Sequence, residues 1–317
     1  MSTAATPQTL QDVIRYFSDP DTCLDFTVSI RWPLGVVCPT CGSKEVAFLK
    51  TRRLWKCKTK HPKQQFSAKV GTVFEDSPIG LDKWFAAAWM VANCKNGVSS
   101  YEIHRALGVT QKTAWFMDHR IRLAMQAGSF EKLSGDFEVD ESFIGGLARF
   151  MHKNRKAKIT GTGGAGKEVV MGLLDRNTKK IRIRHVKDRQ GGTVAGFVRE
   201  HVEGGSYVFS DAFVGYNGLE REYVHQVIDN AETYVKGNVH TNGIENFWSL
   251  LKRGLKGTYV SVEPFHLFRY LDEQAFRYNN RQTNDGSRFV DVMRGVTGKR
   301  VTYQKLTGKG DEAIATA

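Results

Sequence analysis

Three carboxylates, Asp140, Asp211 and Glu245, sit in Phe137-Glu-Val-Asp-Glu-Ser-Phe143, Tyr207-Val-Phe-Ser-Asp211 and Asn242-Gly-Ile-Glu-Asn-Phe-Trp248. Each segment reads as the end of a strand or the start of a helix. Isolated carboxylates are common on any surface. Three in such settings, within a chain of net charge +13, point to a site that holds divalent metal against phosphate. Hard cations take oxygen ligands, and paired metals stabilise both the attacking and the leaving oxygen of a phosphoryl transfer.

A second group of residues suits a softer metal. Val37-Cys-Pro-Thr-Cys-Gly-Ser43 carries a Cys-x2-Cys knuckle, and Cys57 and His61 follow at Cys-x3-His spacing. Cys38, Cys41, Cys57 and His61 fit tetrahedral structural zinc, a zinc ribbon; four protein ligands leave no open position for chemistry. Ribbons usually close with Cys-x2-Cys, but position 60 is Lys, so the fourth ligand stays open between His61 and none. Five cysteines, three of them clustered, favour reduced thiols over a disulfide framework and so a cytosolic compartment; Cys23 and Cys94 read as small buried residues.

These side chains need elements to carry them. Leu10, Val13, Ile14 and Phe17 have helical spacing that ends at Asp19-Pro20. Leu81 to Met125 is helical, with Trp84, Phe85, Ala88, Trp89 and Ala92 as core. Ser99 or Ser100 caps a short helix through Leu107, Gly108 breaks it, and Thr110 caps the next. That is the grammar of a helix-turn-helix, with Gln111, Lys112, Thr113 and Arg120 expected to face outward toward DNA; the plain alternative is a helical hairpin. His104 and His119 read as surface residues.

From Asp136 the pattern turns to strands. Alternation puts Glu138, Asp140 and Ser142 on one face and Phe137, Val139, Glu141 and Phe143 on the other. Lys167–Leu174 and Lys180–Val186 are further strands, the latter pointing Arg182 and Arg184 away from Ile181 and Ile183. A helix over Thr193–Val202 and a strand from Ser206 into Asp211 follow. Three strands, a helix and a fourth strand match the start of an RNase H-like α/β fold, in which the first and fourth strands are neighbours. Such a fold would join Asp140 to Asp211. On a helix beginning at Thr241 or Asn242, Ile244, Phe247, Trp248, Leu251 and Leu255 form the buried stripe, while Glu245, Ser249, Lys252 and Lys256 share another face. Asn242-x-x-Glu245 also reads as a capping box, so Glu245 is either a helix cap or a site acid.

The chain resembles bacterial insertion-sequence transposases of the Asp-Asp-Glu class with an N-terminal zinc ribbon. The similarity rests on Cys38–Ser43, Gln65–Glu75, Val139–Gly146, Ser210-Asp211 and His240–Gly254, and spans roughly residues 8 to 285. It implies that Asp140, Asp211 and Glu245 are catalytic acids coordinating two magnesium ions (manganese as a substitute), with Asn242 a supporting ligand. It also implies double-stranded DNA, element ends and target, as partner, and a dimer or larger assembly on that DNA.

The expected organisation is an N-terminal helical segment (1–33), zinc ribbon (34–76), helix-turn-helix domain (77–130), RNase H-like catalytic domain (134–285) and C-terminal tail (286–317). Phosphates near the acids would meet Lys252 and Lys256; Lys112, Thr113, Arg120, Arg182 and Arg184 would add salt-sensitive DNA affinity. The basic run Lys153, Arg155, Lys156 and Lys158 is a candidate backbone grip or a solvated turn. Gly161-Thr-Gly-Gly-Ala-Gly-Lys167 imitates a nucleotide-binding loop, but Glu168 stands where Ser or Thr would hold magnesium, and a strand follows. The first ten residues show no positive and apolar signal segment, and the longest apolar run, Trp84 to Ala92, is too short to span a bilayer. Two rival functions remain: a DNA-binding regulator whose nuclease-like domain is inert, and a metal-dependent nuclease that cuts without joining.

Overall fold

The computed structural model describes residues 7–126, 131–146, 153–157, 159, 164–228 and 240–308. They fall into two compact units, one of residues 1–126 with 282–317 and one of residues 127–281.

The first unit opens with α1 (Leu10–Tyr16) and α2 (Pro20–Arg31). Thr9 and Asp12 cap α1 reciprocally; Asp19 caps α2, whose first position is Pro20. Proline is pre-organised at that position and its missing N–H costs nothing there. Asp19-Pro20, expected to end a helix, therefore also starts one. A three-stranded antiparallel sheet follows, β1 (Val46–Leu49), β2 (Leu54–Cys57) and β3 (Gln65–Phe66), in that order. Then come α3 (Leu81–Asn93), α4 (Ser100–Leu107) and α5 (Gln111–Met125). Ser99 and Glu102 form a capping box on α4, Gly108 turns the chain at φ +60°, and Thr110 caps α5. These local rules place all three boundaries where the composition put them.

The second unit contains a five-stranded sheet: β4 (Asp136–Ile144), β5 (Glu168–Asp175), β6 (Ile181–Val186), β7 (Tyr207–Asp211) and β8 (Val224–Ile228), ordered β6-β5-β4-β7-β8. β4, β5 and β6 pair antiparallel, while β7 is parallel to both β4 and β8. Its helices are the short α6 (Lys153–Lys156), α7 (Gly191–His201), α8 (Asn242–Gly254) and α9 (Leu267–Asn279). One sheet face buries Phe137, Val139, Met171 and Leu173 against Val194, Phe197 and Val198 of α7. The other buries Val170, Leu174 and Ile181 against Ile244, Phe247, Trp248 and Leu251 of α8 and Leu267 and Leu271 of α9. Coverage on both faces explains why β5 is apolar on both sides.

Within the expected tail, residues 286–308 are folded; residues 309–317 lie outside the described residues. α10 (Asp285–Arg294) and α11 (Tyr303–Leu306) belong to the first unit. Phe289 of α10 is fully buried and stacks on Phe26 with ring centroids 5.9 Å apart, beside Phe17 and Phe85. The amide of Val73 donates to the carbonyl of Val296, and that of Gly298 to the carbonyl of Gly71. Phe289, Val292, Met293 and Val296 are spaced three or four apart, so the helical stripe was legible despite the polar composition.

Candidate metal and nucleic-acid sites

The carboxylate basin is built from the sheet outward. Glu138 of β4 pairs with Phe209 of the parallel β7. The pairing ends there, and two residues further along the two neighbouring strands stand Asp140 and Asp211, which line the same cavity. Helix α8 supplies the third acid. It lies close because Gly172, which pairs with Asp140, has no side chain; a Cβ there would fall 2.8 Å from the Trp248 ring and 2.9 Å from Ile244. The Trp248 indole N–H then donates to Asp140 Oδ2 at 2.9 Å. Asp140, Glu141, Asp211, Glu245 and Lys252 line one cavity of about 410 Å³, together with Ser142, Thr241, Trp248 and Ser249.

The electrostatics of this basin are those of crowded anions. Burial pushes the Asp140 carboxyl up to about 7, with the charges of Glu141 and Asp211 adding to it and the Trp248 bond opposing it. Burial also raises Glu141, whose Oε2 accepts from the Tyr216 hydroxyl at 2.7 Å and whose Oε1 faces Arg189 at 3.5 Å. The Tyr216 hydroxyl is itself held well above its usual range, first by burial and then by Glu141. Burial lowers Lys252, Asp140 pulls it back up, and Lys256 and Lys167 push it down. A cation at the centre would relieve the strain between these carboxylates.

Glu245 is not a capping-box partner of Asn242. The helix N-cap is Thr241, and its hydroxyl donates to Glu245 Oε1 at 3.1 Å. Glu138, one pleat back from Asp140, turns inward and caps α8 instead: the Ile244 amide donates to its Oε2 at 2.9 Å. Glu141 leaves the opposite strand face, as alternation requires, yet still lines the basin. The alternation that sends Glu141 to the other face hid this from the sequence; the adjacent Asp-Glu pair in the middle of β4 was the available signal.

The second candidate centre is local. Ligand atoms of Cys38, Cys41, Cys57 and His61 all lie within 4.8 Å of one another. Cys38 Sγ is 3.3 Å from His61 Nε2, and Cys41 Sγ is 3.6 Å from Cys57 Sγ. His61 Nδ1 lies 2.6 Å from the Pro62 carbonyl, which selects the tautomer that leaves Nε2 free to ligate. Burial acts to raise the Cys38 thiol, but amides of Cys41 and Thr40 and the neighbouring thiols bring it down to about 6. A thiolate-rich set of three sulfurs and one nitrogen fits structural zinc, and Lys60 is exposed outside it. Cys23 is buried with its thiol pushed up to about 12, and Cys94 is half-buried.

Two family models match the chain. Residues 132–279 match the ISXO2-like transposase domain and residues 18–59 the transposase zinc-ribbon domain. A transposase-like protein of Haemophilus influenzae is 32% identical over 98 residues, which is 31% of this chain and 79% of that protein. The chain belongs to the ISXO2-like transposase family. A protein in transposable element ISH50 of Halobacterium salinarum is 26% identical over 256 residues, 76% of this chain and 85% of the relative.

The expected DNA-contacting residues fare unevenly. Lys112 is exposed, its Nζ 4.5 Å from the centre of the Tyr303 ring, and Thr113 completes the Thr110 cap at the α5 N-terminus. Arg120, expected to face outward, is buried instead. It is 3% exposed and donates to the carbonyls of Val301, Val73 and Glu75, stacked on Phe116. The C-terminal segment covers that side of α5, which local periodicity does not report. His119 is likewise fully buried, edge-on to Trp115 at 4.4 Å, rather than on the surface. His104 is half-buried with Nδ1 on the Val109 carbonyl. Arg184 makes a two-pronged pair with Glu200, and Arg182 donates to the Glu131 carbonyl. Lys256 is exposed, on a π-turn (Leu255–Tyr259) that prolongs α8. Lys153 and Lys156 are exposed on α6; Lys158 and residues 161–163 of the glycine-rich stretch lie outside the described residues.

Proposed function

We propose that this chain is a DNA transposase that cleaves the ends of an insertion sequence and joins them to target DNA in a metal-dependent reaction. The observation that carries this reading is one cavity lined by Asp140, Asp211 and Glu245, acids 71 and 34 positions apart in sequence, with Lys252 at its side. The strand order β6-β5-β4-β7-β8, three antiparallel followed by two parallel, supports an RNase H-like fold for residues 134–285.

The donor set fits hard divalent cations, since the acids lining the cavity, Asp140, Glu141, Asp211 and Glu245, are all carboxylates whose mutual repulsion calls for positive charge. Two magnesium ions, or manganese in their place, would supply charge neutralisation at the attacking and leaving oxygens of the phosphodiester. The chain's own contribution is positioning. Trp248 fixes the Asp140 carboxylate, the Thr241 hydroxyl fixes Glu245, and the Phe213 amide donates to Asp211 Oδ1 at 3.0 Å. Lys252, with a pKa lowered by burial, stands where it can meet a phosphate oxygen, and exposed Lys256 extends that contact along the strand. Water attack would release a 3′ hydroxyl, which then attacks target DNA; no covalent protein intermediate is required.

We assign α4–α5 as a helix-turn-helix reading DNA through Lys112 and Thr113, and the ribbon as a zinc-stabilised DNA-binding module. Two ends must be handled together, so a dimer on DNA is expected, in the bacterial cytoplasm at the nucleoid. No described helix is long and apolar enough to cross a membrane. The decisive experiment incubates the full chain with element-end DNA and Mg²⁺, beside the Asp211→Ala variant. Metal-dependent nicking and strand joining by the wild type alone support the reading. Equal activity of both proteins, or cleavage without joining from pre-cut ends, would overturn it in favour of a regulator or a nuclease.

A further inference from the structure

One buried ion pair ties together the three segments that carry the acids, and it contains none of the acids. Arg176 lies in the turn after β5. Its Nε donates to Glu138 Oε1 at 2.9 Å, and the two side chains are 12% and 2% exposed. Its guanidinium lies over the Phe209 ring at 3.8 Å, on β7 two residues before Asp211. Its Nη2 donates to the His240 carbonyl, just ahead of α8. The other oxygen of Glu138 accepts the Ile244 amide in the first turn of α8, one residue before Glu245. Glu138 itself precedes Asp140 by two residues on β4.

That contact needs Gly243. A Cβ there would fall 2.9 Å from Glu138 Oε2 and 2.5 Å from Leu174 Cδ2, so only glycine lets the helix start settle on the carboxylate. The Asp136 carbonyl accepts the Arg176 amide at 2.8 Å, which fixes the turn against the start of β4.

We propose that Glu138 and Arg176 form a positioning clamp that sets the mutual spacing of Asp140, Asp211 and Glu245, and hence the affinity of the basin for divalent metal. This rests on the metal-dependent reading above. A carboxylate at a helix N-terminus and a planar guanidinium fork are both directional, so each link constrains orientation as well as distance. Neither residue touches the cavity, so the clamp acts only through the acids it holds.

The test uses the full zinc-loaded chain with Glu138→Gln, Arg176→Met, Arg176→Lys, the Glu138→Gln/Arg176→Met double variant, and Asp211→Ala as reference. Mn²⁺ binding is measured by calorimetry, the Mg²⁺ concentration for half-maximal end cleavage by titration, DNA affinity by anisotropy, and folding by thermal melting. The clamp predicts that Mn²⁺ affinity falls about 10- to 100-fold in Glu138→Gln and Arg176→Met and that the Mg²⁺ requirement rises in step, with DNA affinity unchanged. The double variant should be no worse than the worse single change, because both break one unit. Arg176→Lys should recover only part of the loss, an ammonium being unable to reproduce the fork. If the other variants fail to melt cooperatively, Arg176→Lys decides by the same two metal readouts. Variants that melt earlier yet keep wild-type Mn²⁺ affinity and Mg²⁺ requirement would show a purely structural pair and end the proposal. Wild type and Asp211→Ala binding Mn²⁺ equally would instead remove the metal basin itself, and the clamp with it.

Discussion

The two metal-suited clusters of this transposase differ in how they are made. The Cys38/Cys41/Cys57/His61 group comes from 24 consecutive residues and needs only a knuckle, a hairpin and a histidine whose tautomer is set by the next residue. The carboxylate basin draws on β4, β7 and α8, and its members repel one another until something positive arrives. A closed thiolate set spends its affinity on folding; an open carboxylate set stays accessible to phosphate. The difference explains why one cluster reads as scaffold and the other as chemistry.

The sharpest way to break that contrast is to remove a ligand from each. Asp211→Ala should cost several kcal/mol of transition-state stabilisation, on the order of 10³-fold in the cleavage rate, while the melting curve and DNA affinity stay near wild type. Cys57→Ser, or zinc chelation, should do the reverse in kind. Structural zinc contributes on the order of 10 kcal/mol of binding free energy in small modules, so the ribbon should lose protection from amide exchange while the sheet around β4 keeps it. A ribbon that stays protected without zinc would dissolve the contrast.

A smaller effect tests how the basin is spaced. Gly172→Ala puts a methyl group 2.8 Å from Trp248, and overpacking of this kind costs about 1–3 kcal/mol. Displacing α8 should also weaken the Trp248–Asp140 bond and slow cleavage, whereas Gly196→Ala, with nothing near the added Cβ, should change neither.

The pH dependence is the next increment. Asp140 binds its proton up to about pH 7 in the metal-free fold. Its raised value favours the fold most below the ordinary carboxylate range, and that contribution fades as pH rises toward 7. Metal binding must displace the proton, so Mg²⁺ affinity should climb between pH 5 and about 7 and then level off, with proton release on binding measurable by calorimetry in buffers of different ionisation enthalpy. The smallest expected effect is Arg184→Gln. Its pair with Glu200 is partly exposed and should contribute less than about 1 kcal/mol to stability. A large loss of DNA affinity in that variant would return Arg184 to the DNA surface.

Elements with strong local signals were legible residue by residue. Ser99, Gly108 and Thr110 marked their helix ends by capping chemistry, and the alternation of β4 put Asp140 on its correct face. β8 and α9 were missed, the first being a short edge strand whose polar residues alternate weakly; α2 falls inside the expected helical segment 1–33 but had no bounds of its own, because it begins at a proline read as a stop. Arg120 misled because a helix wheel cannot know that residues 296–301 return to cover it.

Sequence alone settled which atoms are available: three sulfurs and a ring nitrogen in one short stretch, and acids on two strands and a helix start, because caps, knuckles and two-residue alternation act over a few bonds; Asp140, expected near a strand end, lies mid-strand in β4. Tertiary structure decided which of them meet. Glu141 joining the basin, Glu138 leaving it to cap α8, and the glycines at 172 and 243 letting a helix settle on a sheet all depend on contacts between residues far apart in the chain. Such contacts are fixed by packing, which no local pattern encodes.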